Sequence, residues 1–210
     1  MRSEDLAEVR NLPLFRNMRR VSFDALMQAA YAQQFPAGLE LIRQGARADF
    51  LHVVVEGRVE LSAEWQGRST TMAVVHPVET FILAACIRDL PYLMSARTLE
   101  PSRLLLIPAS DLRAIFRSDA EFAVSIVGEL AGAFRSMARH AKNLKLRSSR
   151  ERVAGYLLEQ SDRAGGAGRF ALQIEKRLVA SYLGMTAENL SRALKGLKAA
   201  GVTVRGHEVT

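Results

Sequence analysis

Three observations predict an α+β chain in three parts: a β-roll of short strands, one long helix, and a small helical unit closed by a hairpin. From Phe35 to Ile107 the 210-residue chain runs as brief β-branched or alternating segments, LELI, FLHVVV, RVELSAEW, TTMAVV, SARTL and RLLLI. Gly38, Gly45, Gly57, Gly67, Pro77, Pro91 and Pro101 divide them, the punctuation of an antiparallel sandwich or jelly roll. From Ser118 the period becomes helical, and beyond Arg147 a helix, a glycine-bearing turn and another helix follow one another.

Ahead of the strands, Leu6, Val9, Leu14, Phe15, Phe23, Leu26, Met27 and Ala30 recur at helical intervals around Pro13. Ser118 and Glu121 have the spacing of a capping box and open the long helix. Ala120, Ala123, Val127, Leu130, Phe134, Met137, Ala141 and Leu144 then alternate at three and four residues, a heptad seam. Either a second copy of the chain or the β domain of the same chain can cover such a seam. Its length, with Arg135, Arg139, Lys142 and Lys145 on the polar faces, favours self-association. RSSR at 147–150 reads as a hinge into a helix from Glu151 to Gln160. DRAGGAGR is a surface loop, since it lacks both a GK[ST] ending and a strand leading into G-x-G-x-x-G. Phe170–Ile174 reads as a strand, Lys176–Leu183 and Thr186–Ala199 as helices around Gly184, and Val202–Thr210 as a hairpin, the winged helix-turn-helix order. The expected parts are residues 1–117, 118–146 and 147–210.

An apolar share of 49% with 24% charged residues suits a globular chain. No apolar run is long enough to span a bilayer, and MRSEDLAEVR lacks the form of a signal peptide, so a cytoplasmic protein without membrane contact is expected. Cys86 is the single cysteine, which excludes an internal disulfide and an iron-sulfur cluster held by several cysteines. Residues 147–210 carry 11 Lys+Arg against 6 Asp+Glu, so most of the net charge of +7 lies in the last third. A regional basic surplus suits a polyanion such as double-stranded DNA, whose condensed counterions it would release, although a generic charged surface reads the same way. An enzyme is not expected: HExxH, G-x-S-x-G and a Walker loop are all missing, and the histidines are scattered.

MTAENLSRALKGL, residues 185–197, carries the most specific chemistry. At about 100° per residue, Glu188, Ser191, Arg192 and Lys195 share one face of the helix, and Leu190, Leu194 and Leu197 share the other. The leucines can dock on Leu178, Val179 and Leu183. Arginine presents a bidentate fork to guanine, glutamate accepts from cytosine N4, and serine bonds base edges or phosphate. Thr186 at the N-cap, followed by Ala187, lies where helix amides favour a phosphate. The plainer alternative is a solvated face with an i, i+4 ion pair between Glu188 and Arg192.

NLPLF, PAGLELIRQG, LHVVVEGRVEL, SSRERVAGYLL and LVASYLGMTAENLSRALKGL together resemble the CRP/FNR family of bacterial transcription regulators along the whole chain. That resemblance implies a cyclic-nucleotide-binding-like β-roll that senses an effector, a homodimer joined along the long helix at Ala123, Val127, Leu130, Phe134, Met137, Ala141 and Leu144, and a recognition helix in the major groove. It also implies RNA polymerase as a partner. The family often continues past Thr210, so reduced wing contacts are expected.

Individual positions divide the branches of the family. Where the cyclic-AMP receptors grip ribose and phosphate with an FGE-type turn and an Arg-Ser pair, this chain has Phe81-Ile82-Leu83-Ala84 and Met94-Ser95. An anionic nucleotide there would lack compensation, so no cyclic AMP is expected. Glu188, Ser191 and Arg192 match the E-x-x-S-R pattern of FNR-like readers, and Ala187 replaces the arginine of the cyclic-AMP type, so TTGA half-sites are expected rather than TGTGA. A pocket with neither nucleotide nor cluster residues is similar to those of the nitric-oxide-responsive NnrR and DNR regulators, which implies a small gaseous or apolar effector and haem as carrier. His76, Phe81, Leu83, Met94 and Ser95 mark the expected pocket, with His76 its candidate iron ligand. Simpler places also account for the candidates: His76 in a turn, His52 on a strand surface, His140 on the dimer helix, Cys86 as a buried small hydrophobe. A constitutive regulator with a vestigial pocket, or a cyclic-nucleotide-type sensor, remains the alternative.

Overall fold

The computed structural model describes residues 3–166 and 168–210. Met1, Arg2 and Ala167 lie outside them, and with them the corresponding positions of the N-terminal segment and the DRAGGAGR loop. The chain forms two compact units, Met1–Arg135 and Ser136–Thr210.

The first unit opens with helices α1 (Ser3–Asn11) and α2 (Arg20–Ala29), joined through the turns around Pro13. Eight strands follow: β1 (Tyr31–Phe35), β2 (Glu40–Ile42), β3 (Phe50–Glu56), β4 (Val59–Trp65), β5 (Arg68–Val75), β6 (Glu79–Phe81), β7 (Ser95–Thr98) and β8 (Ser102–Pro108). They form two antiparallel sheets in the orders β1-β8-β3-β6 and β2-β7-β4-β5, the expected β-roll. Strands β1 and β6 extend the set legible in the sequence. Between β3 and β4 the chain turns at Gly57, whose φ is +85°; a Cβ there would stand 2.3 Å from Ser102 Oγ and 2.7 Å from the Pro101 carbonyl oxygen, so only glycine fits.

His52 departs from its expected place on a strand surface. It is 4% exposed in β3, with its ring stacked 5.1 Å from Phe81 and its Nδ1 without a hydrogen-bond partner. The reason is that β3 is an interior strand covered on both faces. Two short helices absent from the sequence reading, α3 (Leu83–Arg88) and α4 (Ala109–Ser118), pack on it.

Helix α5 (Ala120–Leu146) begins at Asp119 rather than at the expected Ser118–Glu121 box. Ser118 closes α4, its hydroxyl donating to Ala114 and Ile115 carbonyls, and the fully buried Asp119 accepts the Phe122 amide at 3.2 Å and the Arg19 amide at 3.0 Å. Burial pushes the Asp119 carboxyl up, but hydrogen bonds from the Ser22 hydroxyl, the two amides and the Arg19 guanidinium outweigh it and bring the pKa down to about 2. Asp119→Ala should therefore lower stability by about 2 kcal/mol in urea unfolding at neutral pH, since it removes a cap and strands buried donors. A loss within 0.5 kcal/mol, roughly the scale of a surface change, would show that the cap is dispensable.

The boundary between the compact units falls inside α5. Phe122 and Ile126 are buried in the first unit's core, and Leu130, one turn further along the same face, packs partly against it. Val127, Phe134 and Met137 stay 62%, 72% and 63% exposed, and Ala141 and Leu144 are also open, while Ala123 is half-buried. Leu130 thus belongs to the core side of the helix, and the open apolar stripe runs along Val127, Phe134 and Ala141.

The second unit contains the end of α5, α6 (Ser149–Arg163), β9 (Phe170–Ala171), α7 (Lys176–Tyr182), α8 (Ala187–Leu197), β10 (Val204–Arg205) and β11 (Glu208–Val209). Ser148 and Glu151 cap α6 reciprocally: the Ser148 amide donates to Glu151 Oε2 at 2.7 Å, and the Glu151 amide donates back to Ser148 Oγ at 3.4 Å. Hence the RSSR segment both breaks α5 and starts α6. The terminal hairpin pairs β11 with β10 and β9, and Thr203 and Thr210 exchange two backbone hydrogen bonds across its open end.

Candidate nucleic-acid interface

Helix α8 has two sharply different faces. Leu190, Ala193 and Leu197 are buried and Leu194 half-buried, packed in the unit whose core also holds Leu178, Val179 and Leu183. Thr186, Ala187, Glu188, Ser191, Arg192 and Lys195 are all exposed, so the structure gathers every expected reading residue on one open ridge. Ala193 completes the docking face, and its place was readable at i+3 from Leu190.

Thr186 is the N-cap, its Oγ1 accepting the Asn189 amide at 3.2 Å. The same hydroxyl donates to Glu188, which holds that exposed carboxyl below the ordinary glutamate range, so Glu188 is an anion at neutral pH. Arg192 turns its guanidinium to the Asn189 side-chain oxygen. Among the described residues Glu188 and Arg192 form no ion pair, and both remain available outward. Beside the ridge, Arg150 of α6 lies over Gly196: a Cβ at Gly196 would stand 3.1 Å from Arg150 Nε. Sequence reasoning missed this cation, since only the packing of α6 on α8 brings it to that helix. Arg205 and Gly206 lie in the exposed hairpin.

The expected effector residues sit in the first unit. Phe81 and Leu83 are buried in its core, Met94 packs against that core, and Ser95 is half-buried with its Oγ accepting the Gln44 amide at 2.9 Å. His76 is a half-buried turn residue whose amide donates to Glu79 Oε2 at 3.0 Å. Cys86 is fully buried, its thiol donating to the Phe50 carbonyl, and burial pushes its pKa up to about 12. Ile82, between Phe81 and α3, takes φ 64° and ψ 24°, a left-handed conformation costly for a β-branched residue.

An exposed polar ridge on the second helix of a helix-turn-helix, within a basic C-terminal segment that follows a β-roll, is the arrangement of a DNA-binding regulator. Residues 32–119 match the cyclic nucleotide-binding domain and residues 151–210 the Crp-like helix-turn-helix domain. A regulatory protein from Silicibacter pomeroyi DSS-3, assigned to cAMP binding, is 32% identical over 100% of this chain and 94% of its own, with a TM-score of 0.66. FixK2 from Bradyrhizobium japonicum is 26% identical over 86% of this chain and 91% of its own, with a TM-score of 0.77. DNR from Pseudomonas aeruginosa, 22% identical over 100% of this chain and 94% of its own, shares the fold with a TM-score of 0.57. No match is found among the curated proteins. The chain belongs to the CRP/FNR family of DNA-binding transcription regulators, whose members act as dimers. Among the described residues, no helix is long and apolar enough to cross a membrane.

Proposed function

We propose that the chain acts as a homodimer that reads TTGA-type palindromic half-sites through Glu188, Ser191 and Arg192, recruits or blocks RNA polymerase, and responds to a small apolar or gaseous effector at the β-roll. The observation that carries the DNA half of this reading is the separation of faces on α8, with every polar reading residue open and every docking residue covered. An arginine fork on guanine contributes about 1 to 3 kcal/mol of discrimination. Arg192→Ala should thus weaken binding to a TTGA palindrome about 10- to 100-fold in gel shifts and relax preference at one guanine. An equal loss on every sequence would make Arg192 a phosphate contact, and a preference for TGTGA would overturn the half-site.

On the sensor side, the support is chemical. The stretch Phe81 to Ala84 and the pair Met94-Ser95 contain no cation for a cyclic phosphate, and Arg58, Arg103 and Arg113 of the same unit are paired with Glu100, Glu56 and Asp89. Nitric oxide through haem, as in the NnrR and DNR type, is the effector proposed. Phe81, Leu83 and Cys86 are buried in the core of the unit, so no residue is assigned as a haem ligand and no step is routed through haem. A visible spectrum of protein from haem-supplied cells tests it: a Soret band that shifts with nitric oxide establishes the carrier, and a featureless spectrum removes haem and leaves a small apolar molecule.

The match to the cyclic nucleotide-binding domain favours one second reading, a cyclic nucleotide as effector. Calorimetric titration with cyclic AMP and cyclic GMP should show no saturable heat. A saturable isotherm for either would replace the apolar effector with a nucleotide.

A further inference from the structure

Away from the recognition ridge, the second unit encloses a cleft of about 320 Å³ between the last turns of α5, one face of α6 and the end of α7. Rings line its inner side: His140 lies 4.6 Å from Tyr182, and Tyr156 lies 6.2 Å from the same tyrosine. Four arginines, 139, 147, 152 and 163, face it against two carboxylates, Glu159 and Asp162. Among the described residues, Arg139, Arg147 and Arg163 form no ion pair.

Two packing details hold this surplus of cations in place. Arg152 Nη1 donates to the Arg147 carbonyl at 3.0 Å and to the Leu144 carbonyl at 3.4 Å, while its Nε is buried without an acceptor. That bond ties the end of α5 to α6. Arg147 occupies the space that Gly155 leaves open on α6, since a Cβ there would stand 3.1 Å from Arg147 Nη1. The guanidinium is therefore laid across the cleft wall by a missing side chain.

We propose that this cleft binds a small polyvalent organic anion, its acid groups phosphate or carboxylate, held by Arg139, Arg147 and Arg163. Guanidinium groups suit such oxyanions because each offers paired donors in a planar fork. Glu159 and Asp162 on the rim offset part of the field, so a singly charged anion gains little and a polyvalent one is selected. A cleft of this volume matches a small metabolite and not a macromolecule. Tyr182 ends α7, and Leu144 packs on Gly184 in the turn before α8, within 2.9 Å of where its Cβ would lie. An occupant touches α5, α6 and α7 at once, so the site bears on how firmly the recognition helix is held, separately from any effector of the β-roll.

The test is a calorimetric titration of the full chain with citrate, with AMP and with inorganic phosphate, in the absence of DNA. Citrate or AMP should bind saturably, and the one that binds distinguishes a polycarboxylate from a phosphate-bearing ligand. The double variant Arg147→Gln, Arg163→Gln, and separately Arg139→Gln on the exposed face of α5, should each weaken that binding at least about tenfold. In an NMR titration the His140 ring signals should move with the same saturation. The proposal is overturned if neither citrate nor AMP binds, if both variants bind within twofold of the parent, or if the ligand binds while His140 stays unmoved. Because no DNA is present, these outcomes are independent of the half-site assignment.

Discussion

Phe134→Glu should leave the chain monomeric in analytical ultracentrifugation and reduce its affinity for a palindromic site at least about a hundredfold. Phe134 is the most exposed large apolar residue on the stripe of α5, and in a symmetric pair it would be covered twice. Burying a phenylalanine contributes about 1.5 to 3 kcal/mol, so two copies supply several kcal/mol of association, and a buried carboxylate opposes it further. The DNA effect follows because a monomer meets the second half-site without the high effective concentration that a dimer provides. Leu130→Glu is the weaker test. Leu130 packs partly on the core of its own unit, and its loss would mix unfolding with dissociation. A Phe134→Glu chain that remains dimeric would place the interface elsewhere.

The second large effect is a loss of stability in mild acid that resides in one histidine. Burial lowers the pKa of His52 from 6.5 to about 4, against a smaller upward pull from the Phe50 backbone. The unfolded chain takes up this proton below pH 6.5, whereas the folded chain refuses it until about pH 4. Stability is thus fully present above pH 6.5 and falls as pH drops from there to about 4, by on the order of 3 kcal/mol in total. Urea unfolding of the parent and of His52→Phe at pH 7.5 and at pH 4.5 measures it, with the parent losing more than the variant. Asp119 does not confuse the comparison, because its contribution is lost only as pH falls from 3.8 toward about 2. Equal losses in parent and variant would mean that the His52 ring is solvated.

The same two residues show what was legible in the sequence. The heptad count found the open stripe of α5 but assigned Leu130 to it, because counting along one helix cannot tell which neighbouring face a β-roll covers. Phe122, Ile126 and Leu130 form an i, i+4, i+8 row toward the core that only the tertiary packing selects. His52 was misplaced for a related reason: alternation in FLHVVV presumes one wet face, and the short helices α3 and α4 cover it. Six residues, LAACIR, are too few for a helical period to declare itself. Ser118 satisfied the capping-box spacing, yet the previous helix had already claimed it, and Asp119 took over with partners 100 residues away. By contrast α8 was legible almost residue by residue. It is a surface helix with one docking face, the case in which period alone decides exposure. The cleft of α5, α6 and α7 was not readable, since it depends on an arginine lying where a glycine on another helix has no side chain.

The division of labour on α8 also bears on how such a protein can diverge. Glu188, Ser191 and Arg192 bond only their immediate neighbours or none, and the fold rests on Leu190, Ala193 and Leu197 behind them. Exchanging an exposed residue free of core contacts costs about 0.5 kcal/mol or less. If α8 reads bases as proposed, its lettering can therefore be rewritten at almost no thermodynamic penalty, and duplicated copies of this chain can acquire new target sequences while keeping the same scaffold.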